Sequence, residues 1–332
     1  MKAIQIGPNG IIESLQIGEV KEPAVGANQV KIAVKAAGVN RADLLQRMGQ
    51  YPPPAGASEI MGLEVSGAVV EVGEKVSEFN IGDCVMALLA GGGYAEYAVV
   101  DHGSVMLIPD NMGFVQAAGI VEVFLTAYQA MFLLGNLKTG ETVLIHAGAS
   151  GVGTAAIQLA KEKGAKVIVT AGTNEKIDFC KSLGADFGIN YKTDSNFDEL
   201  VKECSKDKGA DLIIDFIGAD YMSRNINATG LDGRIVMLAF MSGAKADGVN
   251  LAKILTKRIT FIGSTLRSRT DAYKTNLVQR FQKDFLHLFS LGKLKPIIDS
   301  KYPWEKVGEA HQRMEQNLNM GKIILTVDSH SC

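Results

Sequence analysis

Hydrophobic and polar positions change rhythm twice along this chain. Up to residue 122 the apolar stretches are short and broken by glycine and proline. Val30–Ala36 (VKIAVKA) alternates apolar and polar residues, as a half-buried strand does. Gly67–Val72 is a second apolar run, and Ile81–Leu89 and Tyr94–Val100 flank a turn at Gly91–Gly93. No strand–helix alternation appears here, so the segment predicts an antiparallel, barrel-like β domain.

From Val123 the period lengthens. Val123–Leu134 has helical spacing and is stopped by Gly135. Beyond Glu141 strands and helices alternate. The predicted strands are Val143–Ala147, Lys166–Thr170, Asp186–Asn190, Asp211–Phe216, Gly233–Ala239 and Ile259–Ser264. The predicted helices between them are Gly151–Lys163, Asn174–Leu183 and Phe197–Cys204. This alternation predicts a doubly wound parallel sheet with helices on both faces. After Arg269 the rhythm changes again: a long amphipathic helix over Ala272–Phe289, Ile297–Ile298, a helix over Trp304–Gln316 and a last strand, Lys322–Val327. That strand has no partner in the alternating series and is expected to return to the N-terminal domain. The fold class is therefore α/β with a second, discontinuous β domain. Expected boundaries are 1–122 with 269–332, and 123–268, and a ligand is expected in the cleft between the two.

Length and composition agree with two globular domains. The chain has 332 residues, 47% apolar and 21% charged, and a formal net charge of -2. Disordered and collagen-like classes are excluded as dominant readings. No Lys/Arg block suggests a nucleic-acid partner. The opening MKAIQIGPNGIIES lacks the basic and apolar regions of a secretory signal, and no 18-residue uncharged apolar run predicts a membrane span. Four scattered cysteines (Cys84, Cys180, Cys204 and Cys332) form no Cys-x-x-Cys pair and no disulfide framework. A cytoplasmic protein is expected. Glycine, at 36 residues, is over-represented, and its clusters carry the chemistry.

The strongest of these is Thr142-Val-Leu-Ile-His-Ala-Gly-Ala-Ser-Gly-Val-Gly-Thr154. A buried strand runs into Gly148-x-x-Gly151-x-Gly153 and then a helix. Glycines let the backbone turn sharply and approach a pyrophosphate, and the helix start offers N–H groups to the anion. Gly148, Ser150, Gly151, Val152 and Gly153 are the candidate phosphate contacts. The strand–turn–helix setting, more than the glycines alone, makes the signal specific. About 20 residues on, where an acid would bind the ribose hydroxyls of NAD, Thr170 to Asn174 contain none. Gly172 and Thr173 leave room for a 2′-phosphate, Lys176 can neutralise it, and Tyr191 offers a hydroxyl. NADPH is the expected cofactor. Glu175 argues the other way, and Lys176 also reads as an ordinary solvated helix lysine.

With these residues in view, the chain resembles the zinc-free, ζ-crystallin-like quinone oxidoreductase branch of the medium-chain dehydrogenases/reductases over essentially its whole length. The resemblance is carried by Gly38-Val-Asn-Arg-Ala-Asp43, Tyr51-Pro-Pro-Pro54, Met61-Gly-Leu-Glu-Val-Ser-Gly67, Leu125-Thr-Ala-Tyr128, Ala147–Thr154 and Gly321-Lys-Ile-Ile-Leu325. Asn40–Pro54 and Leu266–Arg269 are most similar to stress-inducible animal members. The resemblance implies a GroES-like N-terminal domain, a Rossmann domain and a homodimer paired through the edge strand Ile259–Ser264. Where zinc-dependent relatives hold a catalytic metal, Asn40 stands for cysteine and Leu63 for histidine, so no metal is expected.

The family places Asn40 and Tyr51 where nicotinamide meets acceptor, with Ser150 reaching pyrophosphate or substrate. It places Thr126, Ile217, Gly218, Phe240, Leu266 and Lys322 around the cofactor. For Tyr51, Thr126 and Phe240, ordinary packing is the competing account. His146 is read as a packed core residue and not an acid or base. Arg267 and Arg269 are read as solvated, with a hinge or a contact to an anionic substrate as the alternative. The expected reaction is NADPH-dependent reduction of quinones or other electrophilic carbonyls, with no dedicated acid required because a quinol anion is reasonably stable. Reduction of an enone carbon–carbon bond, or an NADPH-binding structural role with little turnover, stand as alternatives.

Overall fold

A computed structural model describes residues 1–327, and Cys332 lies outside the described residues. The chain divides into two compact units. One comprises Met1–Leu125 and the described chain from Leu266, and the other is Thr126–Thr265. The second unit begins and ends three residues inside the expected 123–268 segment, which leaves Thr126 in it and Leu266 outside it.

Along the N-terminal part the strands are β1 (Lys2–Gln5), β2 (Gln16–Glu19), β3 (Gln29–Val39), β4 (Glu64–Val72), β5 (Cys84–Leu88), β6 (Tyr97–Asp101) and β7 (Val105–Leu107). The helices are α1 (Arg41–Arg47), α2 (Phe114–Ala117) and α3 (Val121–Tyr128). The middle unit follows with β8 (Thr142–Ile145), α4 (Gly151–Glu162), β9 (Lys166–Ala171), α5 (Asn174–Ser182), β10 (Phe187–Asn190), α6 (Phe197–Cys204) and β11 (Ala210–Asp215). It continues with α7 (Ala219–Ala228), β12 (Thr229–Met237), α8 (Leu251–Lys257) and β13 (Thr260–Gly263). The C-terminal part adds α9 (Asp271–Phe281), α10 (His287–Ser290), β14 (Ile298–Pro303), α11 (Val307–Glu315) and β15 (Lys322–Thr326).

In the first unit β3 is the hub. It pairs antiparallel with β4 and β6, and β15 returns beside it with Ile323 opposite Val39 and Leu325 opposite Ala37. The alternation read at Val30–Ala36 buries Val30, Ile32 and Val34 in one core with Val65, Val85, Ile323 and Leu325. This is the discontinuous GroES-like domain, built mainly from antiparallel pairs.

The second unit is a six-stranded sheet in the order β10-β9-β8-β11-β12-β13, with every pair parallel. The chain enters at the middle strand, β8, winds outward one way and then crosses to wind the other. That is the Rossmann order, and it puts its switch point between β8 and β11, where ligands bind beyond the strand ends. Leu144, Ile168, Ile213 and Ile235 fill its core. The helix α7 and the short α8 are additions to the predicted set; Tyr221, Met222 and Ile226 form the face by which α7 packs on the sheet core.

The helical run Phe114–Leu134 is long and apolar enough to cross a membrane by length and composition, yet 72% of its apolar window is buried inside the protein. Core helices of that kind satisfy the same test.

Candidate active site

Strand β8 delivers the chain into the glycine turn. Ala147 adopts a left-handed φ of 50°, and Gly148 N–H then donates to Thr170 O at 2.9 Å. A Cβ at Gly153 would stand 2.4 Å from Ala147 O and 2.5 Å from Gly148 O, and one at Gly148 would stand 2.8 Å from Val169 Cβ. The Gly153 contacts are with backbone and the Gly148 contact is with a Cβ held on β9, so both glycines are required by close approach. Ser150 caps α4: its Oγ accepts from Gly153 N–H at 3.0 Å. With Gly153 satisfied by Ser150 Oγ and Thr154 N–H by Ser150 O, the first-turn N–H groups of Gly151 and Val152 are left for an anion. Ser150 has neither histidine nor aspartate on its hydroxyl among the described hydrogen bonds. It acts here as a cap.

One turn along the sheet, the ends of β9 and β10 meet. Gly172 lies so close to Tyr191 that a Cβ there would be 2.7 Å from the phenol oxygen. Thr173 caps α5 by accepting from Lys176 N–H at 3.2 Å, and Asn190 Nδ2 ties the two ends by donating to Asn174 Oδ1 at 2.8 Å. Gly172, Thr173, Lys176 and Tyr191 thus share one corner, and Tyr221 closes its edge with a T-shaped contact to Tyr191 at 6.4 Å. A nicotinamide dinucleotide fits this unit: the glycines let β8 turn tightly into α4, whose first-turn N–H groups suit a pyrophosphate.

At the ends of β11 and β12, Asp215 is a residue the sequence reading missed. Its buried carboxylate accepts from Ile217 N–H at 2.8 Å and from Gly218 N–H at 3.3 Å. Those two amides are therefore committed within the protein, and Ile217 and Gly218 offer a ligand surface rather than donors. Phe240 is exposed, beside Gly218, whose φ is 85°. His146 is wholly buried between Thr170 Oγ1 at 2.9 Å and Asn225 Oδ1 at 2.8 Å. Burial pushes its pKa down to about 4, so it is a neutral core residue as expected. Thr126 is partly exposed on α3.

The first unit gathers the acceptor-side candidates, and here the structure corrects one expectation, that Arg267 is solvated. Lys322 is buried, and its ammonium donates to Val39 O, to Asn40 Oδ1 and to Glu64 Oε1, each at 2.7 Å. Three donors are thereby used. Asn40 is locked into the same cluster, its Nδ2 donating to Glu64 Oε1 at 3.0 Å and Gly38 O at 3.3 Å. Leu266 is buried. Arg267, expected to be solvated, is only 5% exposed. Its guanidinium donates to Ala90 O at 2.8 Å, Gln46 Oε1 at 2.7 Å and Tyr51 O at 3.3 Å, and sits 5.3 Å from the Tyr51 ring centre.

Tyr51 itself is half-buried, and burial raises its phenol pKa, so it stays protonated. Two carboxyl groups of the same unit were also missed. Glu64 Oε2 accepts from Glu122 N–H at 2.9 Å, and Glu122 is pushed up to about 8 by burial and by the Glu64 charge. The signal for Glu122 was present: a lone acid inside an apolar helical run.

Comparison with known proteins settles the family. Residues 26–110 match the alcohol dehydrogenase GroES-like domain, and residues 151–283 match the zinc-binding dehydrogenase family. The quinone oxidoreductase of Lama guanicoe is 34% identical over 98% of this chain and 97% of its own. The chain belongs to the quinone oxidoreductase branch of the medium-chain dehydrogenases/reductases. As a member it is an oxidoreductase that uses a nicotinamide cofactor. Escherichia coli quinone oxidoreductase, solved in complex with NADPH, superposes with a TM-score of 0.87 at 29% identity, covering 98% of this chain and 100% of that one. The CurK enoyl reductase superposes at 0.86 with 26% identity, covering 98% and 99%.

The family description names zinc, and the residues here do not fit that ion. Leu63 is buried and has no lone pair to give, and both ends of the Asn40 amide are engaged. Among the described residues no group of three His, Cys, Asp or Glu side chains is disposed to hold a metal.

Proposed function

We propose that this oxidoreductase reduces quinones with NADPH as the donor and without a metal ion. The observation that carries the cofactor choice is the corner made by Gly172, Thr173, Lys176 and Tyr191. The Thr173 and Tyr191 hydroxyls lie there beside the first turn of α5, which carries Lys176, and Thr170 to Asn174 include no carboxylate to repel a 2′-phosphate. A bound NADPH supplies a hydride from nicotinamide C4. The chain's own part is to hold the pyrophosphate on Gly151 and Val152, and to present the Tyr51 hydroxyl to an acceptor oxygen as negative charge develops there. The Tyr51-Pro-Pro-Pro54 run and the Arg267 guanidinium fix the ring for that purpose. With Leu63 in place of a zinc ligand there is no Lewis acid to polarise an ordinary ketone. An electron-poor quinone needs less help.

The test is oxidation of NADPH and of NADH in the presence of an ortho-quinone, a para-quinone and an enone, by the wild type and by Lys176→Ala. Turnover of NADPH with quinones is expected. Loss of the lysine should weaken NADPH about tenfold more than NADH, the size of one charge-assisted contact. Equal loss of both cofactors removes Lys176 from the 2′-phosphate. Exclusive turnover of the enone would favour the second reading, carbon–carbon double-bond reduction, which the likeness to the CurK enoyl reductase supports. Binding of NADPH with no turnover of any acceptor would point to a structural role.

A further inference from the structure

Three carboxyl groups from different elements converge inside the first unit: Asp43 on α1, Glu64 on β4 and Glu122 on α3. Their surroundings differ in a simple count of donors. Asp43 accepts from Asn40 N–H at 2.8 Å, Gly62 N–H at 3.0 Å and Tyr94 O–H at 3.1 Å. Glu64 accepts from Lys322 Nζ, Asn40 Nδ2 and Glu122 N–H. The Glu122 carboxyl accepts no hydrogen bond from any described residue. Donors stabilise a carboxylate, so the first two carry the charge and the third is the one that keeps a proton.

The charges around Glu122 reinforce this. Glu64 and Asp43 repel a negative charge there. Lys322 on β15 and Lys274 on α9 attract one. Lys322 is already shared between Glu64, Asn40 and Val39, and the Lys274 ammonium is itself disfavoured by burial and by the Arg267 charge. On the remaining side stand Tyr51 and Arg267, both within Coulomb reach of Glu122. Unlike Glu64, Glu122 retains partial access to solvent, so a lost proton can be replaced. The side chain is thus a neutral acid in the same unit as Tyr51 and within Coulomb reach of its phenol.

We propose that Glu122 supplies the proton that the reduced acceptor takes up, an assignment that rests on the quinone-reductase reading above. The step balances. The quinone receives a hydride, which itself carries the two electrons and one proton, and becomes a quinol monoanion while the nicotinamide is oxidised. The Glu122 O–H bond breaks, the quinol O–H bond forms, and the carboxylate left behind regains its proton from water. The neutral, proton-bearing form is the competent one, so turnover falls as pH rises through the titration of Glu122.

The test uses the whole chain with NADPH and a para-quinone, comparing wild type with Glu122→Gln and Glu122→Asp. The amide has nearly the shape of the acid but no proton to give. Turnover should drop about tenfold or more, at the low end for a positioned acid because quinol anions need modest help. The alkaline fall in wild-type kcat should vanish in Glu122→Gln and shift in Glu122→Asp. A second readout needs no turnover. Difference infrared spectra of the cofactor-free protein should show a protonated-carboxyl band at neutral pH that titrates away at alkaline pH and is missing from Glu122→Gln. If that variant does not fold, the wild-type band and the Glu122→Asp shift decide the matter.

An active wild type whose pH profile is unchanged in Glu122→Gln, or a wild type without the neutral-pH band, overturns the assignment alone. An inactive wild type overturns the quinone reading and this assignment with it.

Discussion

At the residue scale, the side chain with most leverage on Tyr51 is Arg267. An arginine in a short polar run reads as solvated, since most are. Here its partners are Ala90, Tyr51 and Gln46, which lie 177, 216 and 221 positions away. No local pattern can announce acceptors so distant. The same holds for Lys322, drawn inward by Asn40 and Glu64 from the far end of the chain. Arg267→Leu should leave Ala90 O and Gln46 Oε1 without their donor and lower stability by about 2–3 kcal/mol, the cost of stranding buried polar groups. Arg267→Lys should recover only part of that, because an ammonium cannot make the planar fork. Urea unfolding of both variants reads the difference, and two wild-type midpoints would remove Arg267 from the framework of the site.

At the element scale, the glycine turn was readable because everything that defines it is local. Strand, turn and helix lie within Thr142–Glu162, and the collisions that demand Gly148 and Gly153 involve residues from this turn or the adjacent strand. The other instructive element is β13, the unpaired edge of the parallel sheet. It exposes Phe261 at 40%, while nearby in sequence α8 exposes Leu251 at 72% and Leu255 at 78%. An open edge with apolar flanks is a liability for a lone chain. We propose that two copies pair along it. Sedimentation should give twice the 35.5 kDa chain mass, and Phe261→Asp should shift the protein towards monomer. A wild type that sediments as one chain at micromolar concentration would refute the pairing.

At the scale of the whole molecule, the buried titratable groups make stability depend on pH in both directions. His146 in one unit and His311 in the other are held down to about 4 and about 3, first of all by burial. Both bind no proton in the folded chain between pH 6.5 and those values, whereas the unfolded chain does, so stability falls as pH drops below about 6.5. Glu122 acts oppositely. Raised to about 8, it keeps a proton that the unfolded chain has already lost above its ordinary value, so its contribution declines as pH rises through that window. The histidines thus pull the melting temperature down on acidification from pH 6.5 to 4, against Glu122 and against Asp43, which burial raises to about 6, and Glu122→Gln should flatten the decline between pH 5 and 8. A His146 or His311 imidazole found protonated at pH 5 by NMR titration would mean that the histidines are not buried as neutral groups.

What the sequence determined by itself is whatever short-range periodicity encodes. The β-rich beginning, the strand–helix alternation, the phosphate turn and the absence of an acid at the end of β9 are all set by neighbours a few residues apart. The tertiary structure alone decided which polar side chains keep their charge. Asp43, Glu64 and Glu122 are three acids of one chemical type on three separate elements. Only the donors brought to each by folding separate two carboxylates from one neutral acid, because the cost of a buried charge depends on partners that the linear order does not show.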